Sequence, residues 1–122
     1  MPFQYILANL LAECRHAVAV MFLDDAGETV DLATSEYQPF DLQVVGAYLG
    51  IYLRQMQAAL ENAAIGAPEA MQIEHQNLNI HLRTLPDGYY LALVQKKDGL
   101  PGRARHRVER AARQLAAELF PS

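Results

Sequence analysis

Five arginines fall within a short stretch near the end of the chain: Arg103, Arg105, Arg107, Arg110 and Arg113. Guanidinium groups at that density are what phosphate recognition uses, either in bidentate hydrogen bonds or to neutralise a nucleic-acid backbone. A phosphate-reading stripe needs them on one face. On a helix, positions 103, 107 and 110 share a flank, while 105 and 113 lie elsewhere. The rest of the chain is acidic. Net charge is −4, and the first fifty residues hold seven acids against one base, Arg15. A nonspecific nucleic-acid binder has the opposite balance. The segment therefore reads as a solvated helix face with local pairs such as Arg105–Glu109. Nucleic acid is not an expected partner, and contact with an acidic protein is compatible with the pattern.

The other chemically capable residues are sparse. His75 and His81 lie on opposite faces of the hairpin described below, and with Glu74 near His81 only two ligands could meet. A closed zinc site needs four. Asp24 and Asp25, an acid/base pair in principle, precede Ala26-Gly27 and read as a hairpin turn. The one cysteine, Cys14, excludes an internal disulfide, fits a reducing compartment, and ends an apolar stripe as a small core residue does. Gly99-Leu100-Pro101-Gly102 lacks the lysine and the spacing of a phosphate loop. No metal, no cofactor and no active site are expected.

Hydrophobic periodicity gives the elements that hold these residues. Phe3, Ile6, Leu7, Leu10, Leu11 and Cys14 form one helical face. Arg15 follows that apolar part instead of preceding it, so the segment is expected to be a folded helix in a cytoplasmic protein and not a leader. No apolar run reaches membrane-spanning length, and membrane insertion is not expected. Residues 17–23 are apolar without a break, and residues 28–33 alternate. Pro39 and Asp41 open a long helix to about Ala63, with Asp41 as its cap. Met71, Ile73 and His75 alternate with polar neighbours, as do Leu78, Ile80 and Leu82. A two-residue turn at Gln76-Asn77 would pair Ile73 with Ile80 and Met71 with Leu82. Pro86-Asp87-Gly88 is a turn before the apolar run 89–94. Residues 98–102 break the chain again before a last helix with the stripe Val108, Ala111, Ala112, Leu115 and Leu119.

These 122 residues, 52% hydrophobic, fit one domain spanning 1–122. Strands 17–23 and 89–94, apolar on both faces, belong at the centre of a sheet covered on both sides. Short connections then give an α/β sandwich (α+β), α-β-β-α-β-β-β-α. Its one five-stranded antiparallel sheet has the order 2-1-5-4-3, with the long helix on one face and the first and last helices on the other. Strand three, with Met71 and Ile73, lies at an edge and lacks the proline or lysine that usually guards one. The long helix offers Leu42, Val45, Leu49, Tyr52, Leu53, Met56 and Leu60 to the sheet. Val44, Ala47, Tyr48 and Ile51 lie off that stripe. Gly46 and Gly50 either let another backbone approach or make room for core side chains. A bare edge and a second apolar helix face together imply a homodimer.

The chain resembles a roadblock-type (dynein light-chain) domain, including the bacterial regulators of Ras-like GTPases. The likeness runs from Phe3 through Leu119. It rests on the element order, on Val18-Ala19-Val20-Met21-Phe22-Leu23-Asp24-Asp25-Ala26-Gly27, on Asp87-Gly88-Tyr89-Tyr90-Leu91-Ala92-Leu93-Val94, and on Leu100-Pro101-Gly102-Arg103. It implies dimers in which long helices pair and edge strands join into one sheet. It also implies a small Ras-like GTPase as partner, activated or scaffolded, with no catalytic residue of the chain's own. Two other classes fit the composition: an acidic dimeric cytoplasmic chaperone for a secreted protein, and a small-ligand sensor with Tyr48, Tyr52, Tyr89 and Tyr90 around a cavity.

Overall fold

A computed structural model describes residues 3–97 and 101–120. The elements in chain order are α1 (Gln4–Glu13), β1 (Ala17–Leu23), β2 (Thr29–Thr34), α2 (Pro39–Asn62), β3 (Ala70–Glu74), β4 (Leu78–Thr84), β5 (Tyr90–Lys96) and α3 (Pro101–Leu119). The sheet is antiparallel in the order β2-β1-β5-β4-β3. Ile73 faces Ile80 and Met71 faces Leu82 across β3 and β4, the expected register. The His75 N–H donates to the Leu78 carbonyl at 2.7 Å and closes the turn at Gln76-Asn77. Residues 98–100, part of the breaker before α3, lie outside the described residues, as does the end of the tail after Phe120.

The β1–β2 turn shows why Asp24 is there. Its carboxylate accepts the N–H groups of Ala26 and Glu28 at 3.0 and 2.9 Å, and Gly27 takes a φ of 82°. That is a side chain replacing backbone partners in a tight turn. Asp41 does less than expected. Gln38 is the N-cap of α2 and Pro39 its first residue; Asp41 sits inside the first turn without a capping hydrogen bond. Its charge still faces the positive helix end.

The sheet separates two cores. On one side, Ile6, Leu7 and Leu10 of α1 and Val108, Ala111 and Leu115 of α3 pack on Val20, Phe22, Leu91 and Leu93. On the other, Leu42, Leu49 and Leu53 of α2 pack on Met21, Leu23, Ile80, Leu82 and Ala92. Gly46 and Gly50 belong to this second contact. Both are buried, and they lie against the sheet, not on an outer flank. A Cβ at Gly46 would come 2.4 Å from Cδ2 of Leu23; one at Gly50 would come 2.7 Å from the Tyr90 hydroxyl and 3.1 Å from the Gly27 Cα. The Tyr90 hydroxyl donates to the Gly46 carbonyl at 2.9 Å. Of the two readings of the glycines, the structure takes the one in which they make room for core side chains.

A polar group sits where the sequence pattern implies solvent. Asn79 and His81, on the alternating face of β4, are 2% and 3% exposed, and Gln95 of β5 is 1% exposed. The His81 Nε2 and Gln95 Oε1 are 3.2 Å apart, and the Gln95 side-chain amide donates to the Arg15 carbonyl at 3.0 Å. That second bond leaves the Gln95 oxygen as an acceptor, so His81 carries its proton on Nε2 when neutral. α3 packs across β4 and covers this group. The Asn79 side-chain oxygen has no partner among the described residues.

Burial holds the His81 pKa below its ordinary 6.5; the Gln95 hydrogen bond opposes this, and the charge of Arg105 adds to it. In the unfolded chain the imidazole takes up a proton as pH falls through about 6.5, while in the folded chain it stays neutral to lower pH. The unfolded state then binds more protons. Folding stability should decline just below pH 6.5, and His81→Gln should flatten that part of the pH profile in urea unfolding. An unchanged slope in the variant would assign it to another group. A second expectation concerns the glycine contact. Gly50→Ala would displace the Tyr90 hydroxyl from the Gly46 carbonyl. Overpacking costs about 1–3 kcal/mol, and helix propensity returns at most about 1 kcal/mol. Urea unfolding at fixed protein concentration should show a net loss, and a gain would mean that the Tyr90 ring can move aside freely.

Candidate interaction surface

Because α2 meets the sheet through Leu42, Gly46, Leu49, Gly50 and Leu53, its larger apolar residues point outward. Val44, Tyr48 and Ile51 are 42%, 59% and 40% exposed, and Ala47 is exposed beside them. These four were expected off the stripe, and the structure brings them together on the outer face. Val45, Tyr52 and Met56, expected on the sheet side, are exposed too. At about 100° per residue, Phe40, Val44, Val45, Tyr48, Ile51, Tyr52 and Met56 fall within one arc of nearly half of the helix circumference, an arc that the polar residues Asp41 and Gln55 also enter. No charged residue occurs between Leu42 and Leu53. Scattered exposed apolar side chains need no explanation, but a contiguous patch of this width marks a contact surface.

The edge strand β3 is a second unfinished boundary of the molecule. Met71 and Ile73 are partly buried and pack on the α2 side of the sheet. Ala70, Gln72 and Glu74 are exposed on the other side. One side of β3 pairs with β4; the other ends the sheet. Its five residues include no proline and no lysine.

Two clefts open beside α2. The larger, about 570 Å³, lies between the first turns of α2 and the β3–β4 turn; Tyr37, Leu42, Val45, Leu78, Ile80 and Val94 line it. The other, about 400 Å³, lies between the second half of α2 and the turns before β2 and β5, with Arg54, Gln57 and Tyr89 on its wall. Arg54 donates to the Asp25 carbonyl at 3.0 Å. The Tyr90 phenol is pushed up to about 12, chiefly by burial, with Arg54 drawing it down and Asp24 raising it. Of the four tyrosines expected around a single ligand cavity, Tyr89 and Tyr90 line this cleft, while Tyr48 and Tyr52 face outward from α2.

Several of the chemically capable residues are used for structure. Arg107 and Arg110 both bind the Glu13 carboxylate, at 3.2 and 2.9 Å, and tie α3 to α1. Glu109 pairs with Arg83 of β4 at 3.5 Å, in place of the expected Arg105. Half-exposed pairs of this kind contribute about 0–1 kcal/mol each. They orient the helix more than they stabilise it. Cys14 is 4% exposed, and burial pushes its thiol up, against the pull of Arg107. It is therefore a poor nucleophile. Among the described residues, no three His, Cys, Asp or Glu side chains converge as metal ligands, and no helix is long and apolar enough to cross a membrane.

No protein-family model matches the chain, and no sequence among curated proteins matches it significantly. Solved structures do match. A Roadblock/LC7 domain from Streptomyces avermitilis superposes with a TM-score of 0.87 at 12% identity, over 95% of this chain and 96% of that one. MglB from Myxococcus xanthus gives 0.87 at 13% identity, over 98% and 95%. An MglB with a tetrameric arrangement gives 0.85 at 16% identity, over 94% and 85%. At these identities the likeness is one of fold: the chain has the roadblock/LC7 fold.

Proposed function

We propose that the chain is a single roadblock-type unit that works as a homodimer and binds a small Ras-like GTPase, either stimulating its GTP hydrolysis or holding it in place. The observation that carries this reading is the outward apolar face of α2 together with the bare edge of β3. Surface of that kind marks a contact site, and a second copy would cover the helix and the strand edge together. Val44, Ala47, Tyr48 and Ile51 form the centre of the interface, with Met71 and Ile73 at the strand edge. Gly46 and Gly50 serve it indirectly, by seating α2 so low that these residues project. The tetrameric arrangement of one structural neighbour supports the use of this fold in multimers.

The GTPase assignment rests on the resemblance of the chain to bacterial roadblock regulators, and the fold supports it. In this reading the chain brings no active site or cofactor of its own. Cys14 is buried and the α3 arginines that bind Glu13 are engaged within the chain. Its effect on a GTPase would come from the shape and charge of the paired surface. The reading places the protein in the cytoplasm, where such a partner would be.

Two experiments test the two halves. Tyr48→Glu and Ile51→Glu each place an unpaired charge in the proposed interface, which costs about 3 kcal/mol or more, or on the order of a hundredfold in dimer affinity. Sedimentation at low micromolar concentration should show the parent as a dimer and both variants as monomers. If both variants stay dimeric, the interface lies elsewhere. Affinity capture from source-cell lysate, run in parallel with GDP and a non-hydrolysable GTP analogue, should recover a small GTPase mainly with the analogue. The hydrolysis rate of that GTPase, with and without this protein, then separates activation from scaffolding. Recovery of a secreted protein in both nucleotide states would favour the chaperone reading, and recovery of no GTPase would leave the roadblock likeness as one of fold.

A further inference from the structure

At the C-terminal end of α2 the chain exposes apolar groups with no cover. Residues 63–68 read Ala-Ala-Ile-Gly-Ala-Pro, without one polar side chain, and 63–67 are all exposed. Ile65 is 71% exposed, as open as any large apolar residue described. The segment is not loosely tethered. The Ala64 and Ile65 N–H groups donate to the carbonyls of Glu61 and Leu60 at 3.1 and 3.0 Å, a helix-ending pair of bonds that fixes the backbone at Ile65. Ala64 takes a φ of 57° to make it.

At the other end of α2 lies the 570 Å³ apolar groove under the β3–β4 turn. The segment and the groove are separated in one chain by about 30 Å, the length of helix from Leu42 to Asn62 at about 1.5 Å per residue. They cannot meet within a protomer. A two-fold axis that joins β3 to its own copy in one sheet, with both α2 helices on the same face, stands normal to the sheet. It sets the two α2 helices antiparallel. The C-terminal end of each then lies beside the N-terminal end of the other.

We infer that in the dimer the apolar segment 63–68 of one copy, led by Ile65, fills the groove lined by Tyr37, Leu42, Val45, Leu78, Ile80 and Val94 of the other. The contact occurs twice, once at each end of the paired helices. The groove has room for several side chains, which suits the short apolar segment better than a single residue. Charge at the rim is mixed: Lys97 borders the adjoining cleft, and Glu61 and Glu69 flank the segment. Asp41 is the one acid on the groove wall. The inference rests on the homodimer proposed above and adds a reciprocal anchor to it.

Thiol cross-linking tests the two ideas separately. Tyr48→Cys places a thiol near the proposed axis, and a short bismaleimide should link it to its own copy. Ile65→Cys and Asn77→Cys, made as separate chains and mixed, should give a covalent dimer, while neither variant alone should. The parent, with Cys14 buried, provides the blank. Linking through Tyr48→Cys without linking in the mixture would overturn the anchor and leave the dimer standing. Absence of both links, with a monomer in sedimentation, would overturn the two together. Linking in the mixture alone would support the anchor about a differently placed axis. As an independent readout, Ile65→Ser should raise the dimer Kd by about ten- to a hundredfold, from lost apolar burial. An unchanged Kd would also count against the anchor.

Discussion

The close seat of α2 on the sheet sets the rest of the molecule. At Gly46 and Gly50 no side chain separates the helix from Leu23 and Tyr90, and the Tyr90 hydroxyl reaches the helix backbone itself. A helix held this low buries a narrow stripe. It needs only Leu42, Leu49 and Leu53 to complete the inner contact. Every other large apolar residue on it is then directed elsewhere. With alanine at the two glycine positions the added methyl groups would press on Leu23 and Tyr90, and the helix could not sit this low without displacing them. The outward face follows from the inner one.

The two sides of the sheet differ for the same reason. Two helices cover the side of β1 and β5 that carries Phe22 and Leu93, and their mutual packing, with the Glu13 bridges, closes that core. One helix covers the other side, lying over β1 and β2. The half of that side nearest β3 is left with a groove and a half-covered Ile73. The same sheet therefore has one face finished by the chain and one that a further surface could complete.

Most of this layout could be read in the sequence. Strands apolar on both faces had to be central, short turns allowed few orders, and the alternation around Gln76-Asn77 set a register that the structure reproduces. The phase of α2 could not be read. A helix apolar over most of its circumference gives periodicity no contrast, and glycine, which has no side chain, adds nothing to the pattern although it marks the contact line. That is why Val45, Tyr52 and Met56 were expected inside. β4 misled in the opposite sense. Asn79 and His81 alternate with apolar residues as a solvated face does, yet both are buried beneath α3, where Gln95, on a neighbouring strand, supplies a polar partner for His81. Local pattern does not contain a partner from fourteen residues away. The Glu13 bridges to Arg107 and Arg110 were out of reach for the same reason.

The absence of charge between Leu42 and Leu53 also bears on selectivity. A surface tells partners apart by what it repels as well as by what it attracts. Over these residues α2 has nothing to repel with, so a mispairing there meets no electrostatic penalty, only a mismatch of shape. In the dimer proposed above, two related chains with this helix in one cell would exchange subunits unless their ends differed. Sorting among such relatives would fall to the helix termini and the loops beyond them, and those are the positions where divergence between duplicated copies would first separate one assembly from another.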